Sequence, residues 1–259
     1  VEVLPPVVNR SSGPTTLERS TAETTRGPSV RLGLDQVRGI GTTLAQEIAS
    51  GGPYETVDDL VRSVEVNEAQ LMSLARAGAL SELGGVPSFS RRQALWTVGA
   101  LPHGGAQHLR GLRPHVAPPL PELHRSERYA MDLWSTGIIP DGHPMEILRE
   151  ELTEDGVVSS SQLRVLPPGS LVCVGGVVTH RQRPHTAKGV TFINLEDEEG
   201  LVNVICTKVI WQRFREVARR SNALVVTGVL ERYDGVINVL ARRIEPLITG
   251  APLRSRDFR

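Results

Sequence analysis

The 259-residue sequence predicts a multidomain α + β protein in which a helical region is followed by a five-stranded barrel. The first observation is a change of hydrophobic period, from helical spacing up to about residue 152 to alternation from Ser170 onward. The second is the order of the later elements, which is three strands, a helix and two strands. The third is a stretch at 102–125 that is rich in proline and holds four of the seven histidines. Such a stretch is typical of a linker.

These patterns divide the chain into six segments. Residues 1–29 are rich in Ser, Thr and Pro without periodicity, so we expect an extended or flexible lead-in. The segments that follow are a helical domain at 30–101, the linker at 102–125, a short helical connector at 126–169, the barrel at 170–248 and a C-terminal tail at 249–259.

Helices are predicted wherever apolar residues recur on one helical face. Thr56-x-x-Asp59 and Asn67-x-x-Gln70 are capping boxes, which mark two helix starts. Gly78 ends the second of these helices. Further helices are expected at 41–50, 91–101, 128–134 and 145–152.

Strands are predicted at 171–181, 190–196, 201–206, 223–232 and 236–244, with a helix at 208–219 between the third and the fourth. This is the chain order of the OB-fold. Gly175-Gly176 would permit a bend or bulge in a long first strand. Hairpin turns are expected at 198–200 and, with an Asp-Gly pair, at 233–235.

The stretch Val37–Ala45 fits the helix-hairpin-helix pattern, in which an apolar residue, a spacer and Gly-apolar-Gly precede a helix with a small inner residue. Glycines allow a tight turn and a close approach to a ligand, and free amides at a helix N-terminus suit a phosphate. We therefore predict a DNA-backbone site at Arg38, Gly39, Ile40, Gly41, Thr42 and Thr43. The alternative is a purely structural turn. The run at 74–83 resembles a degenerate partner motif, for which packing is the expected role.

The barrel offers a second candidate surface, since OB-folds bind oligonucleotides on the face of strands two and three. Exposure of Phe192 on that face depends on the phase of strand two, which the sequence leaves open. An exposed Phe192 would stack on a base. The predicted single-strand site comprises Arg181, Arg183, Lys188, Phe192, Asn203, Arg232 and Arg242.

Charge is distributed unevenly in a chain of zero net charge. Residues 170–259 hold 14 Lys and Arg against 9 Asp and Glu, whereas residues 30–80 hold 4 against 7. The last third is therefore the candidate for a polyanion partner, with a solvated charged surface as the alternative. The acidic balance of the helical domain favours a local clamp over a broad footprint.

The patterns predict no catalytic residue, metal site or cofactor in this chain. Glu196–Glu199 is a carboxylate cluster at a hairpin, where a solvated turn explains it. The histidines of the linker are spaced too irregularly for a zinc site. Cys173 and Cys206 are expected to be core thiols in a reducing cytoplasm. No apolar run approaches membrane-spanning length, so no membrane partner is expected.

Several stretches resemble the C-terminal part of bacterial C-family DNA polymerases, the polymerase III alpha-subunit type. These stretches are Val1–Ser11, Val30–Gly41, Leu74–Leu80, Arg92–Trp96, Asp132–Gly137 and Gly189–Gly200. The first stretch and Arg-Gln-Ala-Leu-Trp are most similar to the error-prone branch.

The resemblance implies a DNA-directed DNA polymerase that acts in damage-induced, mutagenic lesion bypass. Its palm aspartates and their Mg ions have no counterpart here, so this fragment should be inactive alone. The implied partners are duplex and single-stranded DNA, the accessory proteins of the mutagenic complex and, through them, the sliding clamp.

Two other functions remain open from the sequence. The OB-fold could be a protein-interaction module for accessory subunits that makes no direct DNA contact. It could also be of the anticodon-binding type, which the helix-hairpin-helix motif upstream disfavours.

Overall fold

The computed structural model describes residues 1–19, 27–83, 89–101, 117–187, 189–233 and 235–247. The chain divides into two compact units, Val1–Asp141 and Gly142–Arg259. The predicted order of a helical region followed by a closed five-stranded barrel is confirmed. The division falls inside 126–169, the segment expected to be a connector, because one of its helices lies in the first unit and the other in the second.

The first unit opens with a small sheet that the sequence did not predict. Its strands are β1 (Val3–Leu4), β2 (Thr16–Arg19) and β3 (Pro28–Arg31), and β3 lies between β1 (parallel) and β2 (antiparallel). Val8 is buried, and its amide donates to the Ala79 carbonyl at 2.9 Å. The described part of 1–29 is therefore extended, as expected, but it packs within the first unit instead of being a flexible lead-in.

Five helices follow in the described part of this unit. They are α1 (Thr42–Gly51), α2 (Val57–Ser63), α3 (Glu68–Arg76), α4 (Arg91–Gly99) and α5 (Arg125–Ser135). The capping boxes predicted at Thr56 and Asn67 are both formed, with the side chains of Asp59 and Gln70 completing them. The apolar faces of α1, α2, α3 and α4 meet in one core, whose fully buried members include Leu34, Ile48, Leu60, Leu74 and Leu80.

The second unit is the barrel with a short preceding segment. That segment contains α6 (Met145–Glu154) and β4 (Val157–Val158). The barrel then contains β5 (Leu171–Gln182), β6 (Thr191–Glu196), β7 (Leu201–Cys206), α7 (Lys208–Arg213), α8 (Arg215–Arg220), β8 (Ala223–Tyr233) and β9 (Val236–Pro246). The strands run in the order β5-β6-β7-β9-β8, and β8 pairs back onto β5 to close the barrel. The helix predicted at 208–219 is divided at Phe214.

The long strand β5 pairs with two different strands of the barrel. Its first half pairs with β8 and its second half with β6. The register shifts between Val178 and His180, and not at Gly175-Gly176, where a bulge was expected. A Cβ at Gly176 would lie 2.8 Å from the Glu196 carbonyl oxygen. Glycine at 176 therefore permits a close approach of two strands, which corrects the sequence-based interpretation.

Candidate nucleic-acid interface

The hairpin at 37–41 is fixed by its own backbone. The Ile40 amide donates to the Val37 carbonyl at 3.0 Å, and Ile40 is 4% exposed within the core. Gly39 has φ +81, a conformation that favours glycine, whereas Gly41 is extended at φ −77 and open to any residue. The backbone conformation of the turn therefore requires glycine at position 39 but not at position 41.

The outer side of this hairpin is open. A Cβ placed on Gly39 or Gly41 would meet no atom within 4 Å. Arg38, Gly39, Gly41, Thr42 and Thr43 are all exposed. The predicted site residues thus share one surface, with Ile40 as the buried anchor below them.

The N-terminus of α1 lacks the cap that its neighbours have. Its N-cap is Gly41, and no side chain accepts a hydrogen bond from its first turn. In contrast, α2, α3, α4 and α5 each begin with a capping box. The N–H groups in the first turn of α1 therefore have no side-chain acceptor. They lie at the positive end of the helix dipole, where an anion can bind.

The related turn after α3 is closed. Gly78 has φ +76, as Gly39 does, but a Cβ there would lie 2.9 Å from the Arg91 guanidinium. Arg91 is itself held by Asp132 at 2.7 Å. The Arg91 side chain thus fills the space beside Gly78, whereas the space beside Gly39 is open. The packing role expected for 74–83 agrees with this geometry.

Arg38 is held against an aromatic ring. Its guanidinium carbon lies 4.7 Å from the Trp134 ring centroid, and its amide donates to the Ser135 carbonyl at 2.7 Å. Arg76 lies 4.5 Å from the same centroid. The sequence did not suggest Arg76 or Trp134 as site residues, because their meeting with Arg38 depends on the packing of α3 and α5.

The phase of β6 is settled by burial. Thr191, Ile193 and Leu195 face the barrel interior, so Phe192 and Asn194 lie on the outer face, where Phe192 is partly exposed.

Pairing with the neighbouring strands extends this outer face into two rows. One contains Gln182, Phe192, Ile205 and Leu240, and the other contains His180, Asn194, Asn203 and Asn238. The Asn194 side-chain amide donates to the Asn203 side-chain carbonyl at 3.2 Å. The strand-two and strand-three face is thus aromatic and amide-rich.

Two of the predicted single-strand cations are engaged inside the unit. Arg181 donates from Nε to the Ala218 carbonyl at 2.6 Å and also bonds the Ser221 carbonyl, at the end of α8. Arg232 donates to the Arg164 carbonyl at 2.8 Å. Both guanidiniums thus use part of their hydrogen-bonding capacity on backbone carbonyls of their own unit, and their role as strand-binding cations stays a prediction.

The other predicted cations have different positions. Arg183 is exposed, and its guanidinium and the Lys208 side chain both approach Gly189. Arg242 is exposed on β9. Lys188 lies outside the described residues.

Two family models match the chain, one in each half. The helix-hairpin-helix motif matches residues 1–94, and the OB-fold nucleic acid binding domain matches residues 172–247. Proteins named error-prone DNA polymerase align with the whole chain: 44% identical in Nocardia farcinica, 41% in Mycobacterium tuberculosis H37Rv and 40% in Corynebacterium glutamicum.

The chain therefore matches a segment of the proteins named error-prone DNA polymerase. The predicted resemblance to the error-prone branch is confirmed by these relatives. The chain spans 23% of the length of the Nocardia and Mycobacterium proteins and 24% of the Corynebacterium protein. Among solved structures, asparaginyl-tRNA synthetase from Pyrococcus horikoshii aligns over 37% of this chain and 24% of that chain, with 18% identity and a TM-score of 0.31.

The carboxylate turn at 196–199 is not simply solvated, which corrects the sequence-based explanation. Asp197 is 3% exposed and accepts from the Ser160 amide and hydroxyl, both at 2.6 Å. Arg149 on α6 bonds Glu198, and hydrogen bonds from the Ser159 and Ser161 hydroxyls hold the pKa of Glu199 below its usual value. These contacts connect the turn to the segment that contains α6 and β4. The carboxylates of Asp197, Glu198 and Glu199 are thus matched by protein donors, and no group of three or more His, Cys, Asp or Glu in the described ranges could hold a metal ion.

The sequence-based prediction of site residues also missed a cationic surface on two helices. The α7–α8 segment has exposed cations at Lys208, Arg213, Arg215, Arg219 and Arg220, against one acidic residue, Glu216. Only Arg220 is paired with that acid, at 2.8 Å.

No described helix is long and apolar enough to cross a membrane.

Proposed function

We propose that this chain is a DNA-binding part of an error-prone DNA-directed DNA polymerase that works in lesion bypass. The hairpin at 38–43 would bind the phosphate backbone of duplex DNA, and the outer face of β6 and β7 would bind a single strand. The parent enzyme would supply the palm and its Mg ions, and it would act in the cytoplasm, where bacterial DNA lies. Accessory proteins of the mutagenic complex and the sliding clamp are partners of that larger protein.

The open hairpin is the observation that supports this proposal most. Gly41 is not needed for its own backbone conformation, and a side chain there would project into empty space. A glycine at such a position leaves room for another molecule to approach the amides of Thr42 and Thr43. Such contacts hold the backbone and read no base sequence.

Replacement of Gly41 by Asp separates folding from binding. The new carboxylate can cap α1 and lies at the positive end of its dipole, so we expect the chain to be stabilised by a few tenths of a kcal/mol or more. The same carboxylate repels phosphate and occupies the amides, so duplex affinity should fall at least tenfold. Affinity is measured by fluorescence anisotropy with a short blunt duplex, and stability by thermal unfolding.

Ser81 provides the matched control, because it is exposed in the turn that follows Gly78. Ser81→Asp adds the same charge beside the closed turn and should leave duplex affinity close to that of the unsubstituted chain. Equal affinities for Gly41→Asp and Ser81→Asp, with both chains folded, would remove the clamp.

Docking of accessory proteins on the barrel is the second candidate function. Tyr233, Leu201 and Val236 are 76%, 60% and 50% exposed, and Tyr233 pairs with Val236 where β8 meets β9. Leu201 and Val236 lie two residues before the paired Asn203 and Asn238, so they are neighbours on adjacent strands. Salt separates the two functions, because binding to phosphates weakens steeply as salt rises and an apolar protein contact does not.

A further inference from the structure

The two arginines on Trp134 differ from five other arginines of the first unit. Arg10, Arg31, Arg91, Arg92 and Arg128 each pair with a carboxylate. Arg38 and Arg76 have an aromatic ring instead, and no described carboxylate pairs with either. An indole face holds a guanidinium in place without neutralising its charge, so both cations remain available to an outside anion.

The two cations lie within one Debye length of each other. Each guanidinium carbon lies within 4.7 Å of the same ring centroid, so the separation is less than the Debye length of about 10 Å at 0.1 M salt. Two positive charges at this range repel each other, and a bound anion would relieve that repulsion.

The position of the pair connects it with the hairpin. Arg38 is the hairpin residue directly before Gly39, and its amide is bonded to Ser135, beside Trp134. Gln70, at the start of the helix that bears Arg76, donates to the Gly39 carbonyl at 3.3 Å. The open turn, α3 and the indole ring are therefore in contact, and the arginine pair lies beside the open turn.

We propose that Arg38 and Arg76, held by Trp134, form a second phosphodiester site that takes a phosphate of the same DNA backbone as the hairpin amides. Arg76 would be a binding residue and Trp134 a positioning residue. Guanidiniums are suited to this because their planar fork bonds two phosphate oxygens at once. This proposal rests on duplex binding at the hairpin, and it extends the contact to α3 and α5.

The test is the salt dependence of duplex binding by the whole 259-residue chain. Each phosphate contact contributes about 0.9 to the slope of log affinity against log salt. Arg76→Gln should therefore lower that slope by about 0.9 between about 0.05 and 0.2 M NaCl, with a short blunt duplex as the probe. Arg10→Gln is the matched control, since it removes the same charge from an arginine already bonded to Glu82 at 2.5 Å, and its slope should stay unchanged.

Trp134 variants test the positioning role separately. Trp134→Leu keeps an apolar side chain but removes the ring face, so the slope should fall as in Arg76→Gln. Trp134→Phe restores a ring and should recover part of the slope, which a merely space-filling role would not predict. Recovery of unfolding temperature without recovery of slope would overturn the positioning role.

The result for Gly41→Asp distinguishes failure of this inference from failure of the proposed function. If Gly41→Asp weakens duplex binding and Arg76→Gln leaves the slope equal to that of Arg10→Gln, the second site is wrong and the hairpin remains. If neither change alters duplex binding, both proposals are wrong.

Discussion

At the scale of single residues, similar sequence signals have different physical causes. Gly39 and Gly41 form one motif, yet only Gly39 requires the left-handed region of backbone space. Gly78 shares that conformation but faces Arg91. The sequence could predict the turns, because glycine spacing is local. It could not predict which turn would be open, because Arg91 and Asp132 reach the second turn from distant helices.

Phe192 carries the residue-scale prediction for the barrel. It lies on the outer face of β6 between Gln182 and Ile205, where its ring can stack on a base. Phe192→Leu keeps an apolar side chain but removes the ring, so binding of an oligothymidine should weaken by about 1–3 kcal/mol. Anisotropy titration of a labelled oligothymidine measures this loss.

The control for Phe192 is Trp96→Leu, which removes a ring that is 37% exposed in the first unit. Its oligothymidine affinity should not change. A Phe192→Leu chain that binds oligothymidine as tightly as the unsubstituted chain would show that the single strand does not stack on β6.

At the scale of elements, the beginning of α6 depends on a neutral histidine. His143 Nδ1 accepts a hydrogen bond from the Met145 amide at 3.2 Å. Burial lowers the pKa of His143, against the opposing effect of Glu196, Glu198, Asp197 and Glu146. The nitrogen that accepts this bond must be unprotonated, so the hydrogen bond and the pKa direction agree.

This arrangement predicts a loss of stability in mild acid. A folded pKa below the unfolded value of about 6.5 means that the stabilisation is complete above that pH and is lost as pH falls through the folded pKa. His143→Asn keeps an acceptor but cannot titrate there, so its stability should decline less between about pH 7 and 5.5. Urea unfolding followed by Trp211 fluorescence, with Trp96 and Trp134 replaced by Phe, measures the barrel unit. Equal declines in both chains would contradict the assignment.

Element boundaries were predictable where the signal was local. The capping boxes at Thr56 and Asn67 and the strand at 201–206 were found from residues only a few positions apart. Strands of two to four residues, such as β1 and β2, carry no such periodic pattern, and their pairing with β3 depends on distant residues. The carbonyl contacts of Arg181 and Arg232 could not be predicted for the same reason, because these carbonyls lie 37 or more residues away in the sequence.

At the scale of the whole molecule, net charge is a poor guide to the binding surfaces. The chain is neutral overall, and its helical domain is acidic, yet unpaired arginines lie beside the open hairpin. Five other arginines in the described part of that unit pair with carboxylates, whereas Arg38 and Arg76 pack on an aromatic ring. This agrees with the expectation of a local clamp in place of a broad basic surface.

The central claim is that amides at the open hairpin meet a DNA backbone. Amide chemical shifts of the chain, recorded during titration with a short blunt duplex, test it most directly. We expect the largest shift changes at Gly41, Thr42 and Thr43, and little change at Gly78. Saturated duplex binding that leaves the three hairpin amides at their original shifts would contradict the claim.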